Sequence, residues 1–197
     1  MTETQTAPRH EDADPGGAGD DVLMVRVAAR DAAAFRTLVD RHVRSLHRIA
    51  YRMIGEATEA EDLAQEAFLR LWRDAARWQA GHAGTGAWLN RVVVNLCLDR
   101  LRRRRFASDE AVPERADESP LAPEEMDAAR LRAATVAAIA ALPDRQRVAI
   151  VLTYYEEVSN QVAAETMDMN IKAFESLLLR ARTALRVALA PMKEAAQ

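Results

Sequence analysis

A helix-forming chain is interrupted near its middle by a segment that resists packing. Between residues 107 and 125 stand Asp109, Glu110, Glu114, Asp117, Glu118, Glu124 and Glu125, together with three prolines. Like charges and proline both oppose compaction, so this stretch reads as a linker between two folding units. On either side Ala, Leu, Arg and Glu dominate, while glycine and proline number only seven each in 197 residues. That balance favours helix over sheet. The expected fold class is all-α, with two small helical domains joined by a flexible acidic linker. Residues 1–21 form an acidic tail expected to be disordered, 22–106 the first domain, 107–126 the linker, 127–190 the second domain and 191–197 a short tail.

Periodicity supports this division. From Asp31 onward Phe35, Leu38, Val39, His42, Leu46, Ile49 and Met53 recur at three- and four-residue steps, an amphipathic helix that Gly55 is suited to end. A second helix is expected from Thr58, whose hydroxyl could cap it. Leu63, Ala67 and Leu71 are its buried stripe, helped by Phe68 and Trp72. Gln79–Gly86 holds three glycines and reads as a loop. A third helix, Ala87–Arg105, buries Leu89, Val92, Val93 and Leu96 and leaves Arg91, Asn95 and Arg102 on another side. Pro143 can open a helix at its first position.

Several function classes find no support. The single cysteine, Cys97, allows neither an intrachain disulfide nor a cysteine-based zinc site, and it lies in an apolar run where a packed thiol is expected. His10, His42, His47 and His82 do not share a helical face. No HExxH, glycine-rich phosphate loop or nucleophile elbow occurs, so neither an enzyme nor a cofactor is expected. No apolar stretch is long enough to span a bilayer and the start resembles no signal peptide, which makes the cytoplasm the expected location. The net charge of −3 argues against nucleic acid as a partner, but the arginines are clustered.

Three constellations are candidates for function. Ser159 can cap a short helix from Asn160 to Met167, Asp168–Asn170 makes a turn, and Asn170 can cap a second helix. That second helix places Ile171, Phe174, Leu178, Ala181 and Leu185 on one side and Lys172, Ser176, Leu179, Arg180 and Thr183 on the other, with Arg182 and Arg186 nearby. Two helices, a tight turn and a basic outer face spell a helix-turn-helix, although a plain helical hairpin gives the same pattern. The run Arg100, Arg102–Arg105 needs anionic partners or water, and phosphate suits the guanidinium fork; a solvated helix end is the alternative. Trp78, at a loop edge, could stack on an unpaired base, whereas Trp88 is expected to pack. Glu59, Asp62, Gln65 and Glu66 line one flank of the second helix, either as a solvated face or as a docking stripe.

Residues 59–72 (GluAlaGluAspLeuAlaGlnGluAlaPheLeuArgLeuTrp), 87–105 (AlaTrpLeuAsnArgValValValAsn and onward through the arginine run), 141–164 and 172–186 together resemble the sigma-70 family of RNA polymerase sigma factors, in its extracytoplasmic-function group. The resemblance runs in order from about residue 22 to 190. It implies a subunit that binds core RNA polymerase, through the clamp of the largest subunit and the flap, and directs it to promoter DNA. It further implies that Asp62, Gln65, Glu66 and Phe68 dock on the clamp. Trp78, Arg91, Asn95, Asp99 and Arg103 would serve the −10 element, and Lys172, Ser176, Leu179, Arg180 and Arg182 the −35 element. An anti-sigma factor is a common further partner, and no membrane insertion is implied. One departure is Asp168, where the family commonly has glycine in the turn. Asp tolerates the left-handed conformation there with some strain. An autonomous helix-turn-helix regulator would explain 159–186 alone. A helical decoy that binds an anti-sigma protein would sit poorly with the exposed arginines.

Overall fold

The computed structural model of the protein describes residues 19–78, 84–107 and 123–194. The expected tail up to residue 18, the centre of the expected loop (79–83) and most of the expected linker (108–122) lie outside them. Among the described residues every regular element is helical: α1 (Asp20–Ala28), α2 (Ala32–Ile54), α3 (Ala57–Asp74), α4 (Gly84–Ala107), α5 (Pro123–Ala140), α6 (Asp144–Ile150), α7 (Asn160–Thr166) and α8 (Ile171–Glu194). A 3-10 turn (Ala75–Arg77) follows α3, and α6 runs on as a wider π turn (Val151–Tyr155).

In the first half, α1 to α4 bury facing stripes. Leu38, Leu46, Ile49 and Met53 of α2 meet Leu63, Phe68 and Leu71 of α3 and Leu89, Val93 and Cys97 of α4. Burying each such side chain fully contributes roughly 1.5–3 kcal/mol. Cys97 is held as a thiol: burial, then the Glu59 carboxylate, push its pKa up to about 12. The shortest helix of this half, α1, is also anchored, since Leu23, Met24 and Val27 are wholly buried. Asp20 and Asp21, which composition assigns to the tail, therefore begin a packed helix. In the second half Val148, Leu152, Phe174, Leu178 and Ala181 form the corresponding core.

Local chemistry sets the helix ends. Asp31 caps α2 by accepting from the N–H groups of Ala33 and Ala34 at 2.9 and 3.1 Å. Gly55 closes it in the left-handed region (φ 81), a conformation glycine adopts without cost. The cap of α3 is Glu56, not Thr58: its carboxylate accepts from the N–H groups of Thr58 and Glu59 at 2.8 and 2.7 Å. A glutamate side chain reaches those donors from one residue before the helix, which leaves Thr58 inside the first turn. Pro143 lies just ahead of α6 rather than at its first position. Two helices begin earlier than expected, α4 at Gly84 rather than Ala87 and α5 at Pro123 inside the expected linker. α8 continues past the expected end at residue 190 to Glu194.

Three carboxylates in these caps and junctions are held below their ordinary pKa. Asp31 is lowered by the Ala34 N–H and then by Arg26, and Glu56 by the N–H groups of Glu59 and Thr58. For Asp20 partial burial pushes upward, but hydrogen bonds from Arg41 and His42 outweigh it. A depressed folded-state pKa contributes stability that is complete above the unfolded value and lost as pH falls through the folded one. The melting temperature is therefore expected to fall with pH below about 4, and Asp31→Asn plus Glu56→Gln should flatten that limb in circular-dichroism melts. An unchanged acid limb would show that these caps carry no pH-dependent stability.

Candidate functional site

The helix-turn-helix is built by caps at both ends of its turn. Ser159 Oγ accepts from Val162 N–H at 3.3 Å to start α7, and Asn170 Oδ1 accepts from Ala173 N–H at 2.8 Å to start α8. Asp168 between them has φ 55, in the left-handed region, as the departure from glycine requires. The Met169 N–H bonds back to Ala164 at 2.9 Å and closes the turn. Phe174, Leu178 and Ala181 point into the core, with Ile171 and Leu185 partly buried. Lys172, Ser176, Leu179, Arg180 and Arg182 are exposed, Leu179 at 62%. Among the described residues no carboxylate pairs with Lys172, Arg180 or Arg182.

On α4, Arg91, Asn95 and Asp99 are exposed at successive four-residue steps and so share one face, with Arg103 exposed near its end. The arginine run behaves differently from expectation. Arg100 reaches Glu59 of α3 at 2.9 Å, and Arg104 binds the same carboxylate and the Ile54 carbonyl. Arg105 binds Asp144 of α6, and Arg102 lies 3.5 Å from Asp99. Folding brings α3 and α6 against α4 and supplies carboxylates that the local sequence does not contain. Among the described residues only Arg103 of this run is left without such a partner. Trp78 follows the 3-10 turn, half-buried against the core, and Trp88 packs against the core from the first turns of α4.

Along α3, Asp62 and Gln65 are exposed, while Glu66 accepts from Arg70 Nε at 2.9 Å. Glu59 leaves the stripe, since it turns to α4. Phe68 is buried, edge-on to Phe35 with ring centroids 6.5 Å apart. It forms the floor of an apolar groove of about 760 Å³ between α2 and α3, with Phe35, Val39, Val43 and Leu69 as walls and Gln65 at the rim. The groove was missed in the sequence, although Leu69, 61% exposed beside the acidic flank, is its signal.

The two halves are packed together. Glu156, its side chain only 4% exposed, accepts from Ser45 Oγ at 2.6 Å and from Arg48 Nη2 at 2.8 Å, and this pairing pushes the Arg48 pKa up. Arg147 donates to the Met53 carbonyl at 2.6 Å at the end of α2, and burial pulls its pKa down. Arg52 stacks over Tyr155 at 3.6 Å, and Arg91 meets Asp168 at 3.2 Å. The residues that carry these contacts lie far apart in the chain, 94 positions for Arg147 and Met53 and 108 for Arg48 and Glu156, so no local pattern announces them. Among the described residues no cluster of three or more His, Cys, Asp or Glu could hold a metal, and no helix is long and apolar enough to cross a membrane.

This order of helices has counterparts. The family profile described as Sigma-70 region 2 matches residues 38–107, and that described as Sigma-70, region 4 matches residues 132–185. An extracytoplasmic-function sigma factor of Mycobacterium tuberculosis, SigL, is 33% identical over 175 residues, covering 84% of this chain and 96% of that protein. The chain belongs to the extracytoplasmic-function group of the sigma-70 family. Another member, SigE of Mycolicibacterium smegmatis, is 37% identical over 153 residues; the match covers 76% of this sigma factor and 59% of that longer protein. CnrH, solved in complex with the cytosolic domain of CnrY, superposes with a TM-score of 0.67 at 27% identity, over 87% of this chain and 97% of CnrH.

In this sigma factor Glu156→Ala would leave Arg48 and Ser45, both on α2, without the acceptor they share across the seam. Because Arg48 is half-exposed, the expected loss is about 1–2 kcal/mol, or a melting point lower by about 2–8 °C. The radius of gyration from small-angle scattering should rise as the halves part. No change in either quantity would show that the contact holds nothing together.

Proposed function

We propose that the protein is a promoter-specificity subunit of RNA polymerase, in which the α3 flank holds core polymerase, the outer face of α4 serves the −10 element and α8 reads the −35 element. The observation that carries this reading is the exposed basic face of α8 on a helix-turn-helix, unpaired among the described residues, in a chain whose other half matches region 2. Asp62, Gln65 and Glu66 are the polar contacts to the clamp, and Phe68 is the apolar floor beneath them. Trp78, Arg91, Asn95, Asp99 and Arg103 are the −10 set. Lys172, Ser176, Leu179 and Arg180 face base edges in the major groove, where arginine makes bidentate bonds to guanine. Arg182 takes a phosphate, which fixes orientation without reading sequence.

Residues 22–106 and 127–190 are the working domains on this reading, and the acidic stretch 107–126 follows basic channels of the polymerase. The chemistry of transcription belongs to the polymerase, so the protein itself is no enzyme and needs no cofactor. It works in the cytoplasm, where polymerase and promoter are. CnrH is held by the cytosolic domain of a second protein, which supports an anti-sigma factor as a partner here. An autonomous regulator would use the helix-turn-helix but leave the region 2 half without a task.

Transcription in vitro with purified core polymerase on a genomic promoter library tests this. Starts that depend on the protein and share a spaced −35 and −10 pair are expected, and their absence would overturn the reading. Arg180→Ala should cost roughly tenfold, confined to promoters with a particular −35 base. Asp62→Ala with Glu66→Ala should weaken core binding on every promoter alike. If that pair changed promoter choice and spared core affinity, the α3 flank would be misassigned.

A further inference from the structure

Two neighbouring carboxylates at the start of α1 reach in different directions. Asp20 accepts from Arg41 Nη1 at 2.6 Å and lies 2.7 Å from His42 Nε2, both on α2. Asp21 turns instead to α4, where its Oδ1 accepts from the Thr85 N–H at 3.0 Å and from Thr85 Oγ1 at 2.8 Å. Thr85 is 1% exposed. Its N–H is among the first four of α4, which have no carbonyl partner within the helix, so a side chain 64 positions away satisfies it.

The glycines beside Thr85 fit the same junction. Gly84 has φ +69, and a Cβ there would meet Asp21 Oδ1 at 3.5 Å. A Cβ on Gly86 would meet His42 Cε1 at 3.5 Å. Residues 84–86 are thus small on both sides of Thr85, where α1 and α2 come against the first turn of α4. At the other end of α4, Glu59 holds Arg100 and Arg104. The exposed face of Arg91, Asn95 and Asp99 is therefore fixed between two carboxylate clamps. The region 2 match begins only at residue 38, so the clamp at the start of α4 comes from outside it.

We propose that Asp21 is a positioning residue for promoter opening: by holding Thr85 it sets the angle at which α4 leaves the core, and with it the register of Arg91, Asn95 and Asp99 on DNA. Arg91 lies six residues beyond Thr85, about 9 Å along the axis, so a small tilt at the first turn is carried to the whole face. This role rests on the function proposed above.

The test compares wild type, Asp21→Ala and Asp21→Asn with core polymerase on two matched templates, one fully duplex and one melted beforehand across the −10 segment. Asp21→Ala is expected to form open complexes about tenfold more slowly on the duplex, within twofold of wild type on the melted template, and with unchanged core affinity. Asp21→Asn keeps an oxygen acceptor and is expected to behave like wild type. Should the alanine variant not fold, Thr85→Val removes only the hydroxyl donor and is expected to slow opening about threefold, again on duplex alone. Equal losses on both templates, or loss of core affinity, would overturn positioning in favour of plain stability. An asparagine variant as slow as alanine would overturn the hydrogen-bond role, and an alanine variant as fast as wild type would overturn the proposal outright. If wild type itself drove no initiation, the function proposed above would fail instead.

Discussion

Helix α4 has to bury one side and leave the other clear, and the first half of the molecule is arranged around that division. Leu89, Val93 and Cys97 face inward, while Arg91, Asn95 and Asp99 face out. A single apolar stripe would let the helix slide or roll on its neighbours, because dispersion and hydrophobic burial are not directional. Direction comes from the polar ends. Glu59 gathers Arg100 and Arg104, and Arg104 also reaches the Ile54 carbonyl at the end of α2. Arg104 thus ties the end of α4 to the start of α3 and the end of α2. The outward face is then presented by a helix whose roll is fixed from beneath.

What was legible in the sequence was local. Periodicity located α2, the buried stripe of α3 and the inward side of α8, because those patterns repeat within a single helix. Gly55, Ser159 and Asn170 act at the ends they were expected to cap or close, since capping is a matter of two or three residues. Asp168 takes the left-handed conformation that its position in the turn demands.

Tertiary contacts were not legible, and the misses share that cause. The run Arg100–Arg105 looked unpaired because its carboxylates, Glu59 and Asp144, belong to other helices. α1 was hidden by the polar residues before it, although Leu23, Met24 and Val27 already have helical spacing. Glu56 displaced Thr58 as a cap because a longer side chain one step earlier reaches both free N–H groups. Glu156 lies within the stretch 141–164 but was assigned no role there, and only its encounter with α2 gives it a partner.

The seam between the halves has a thermodynamic consequence for the free protein. Arg48–Glu156, Arg105–Asp144 and Arg91–Asp168 all cross it, and for a ligand that can engage both halves only once they part, the packed form does not bind. Its apparent dissociation constant is the intrinsic one divided by the parted fraction. Added salt screens these partly exposed pairs and so raises that fraction, while the same salt weakens every phosphate contact. The two dependences have opposite sign. For DNA engaged in that way, the affinity of the isolated chain would fall with ionic strength less steeply than its phosphate contacts alone dictate, and a shallow slope would undercount the groups that touch the backbone.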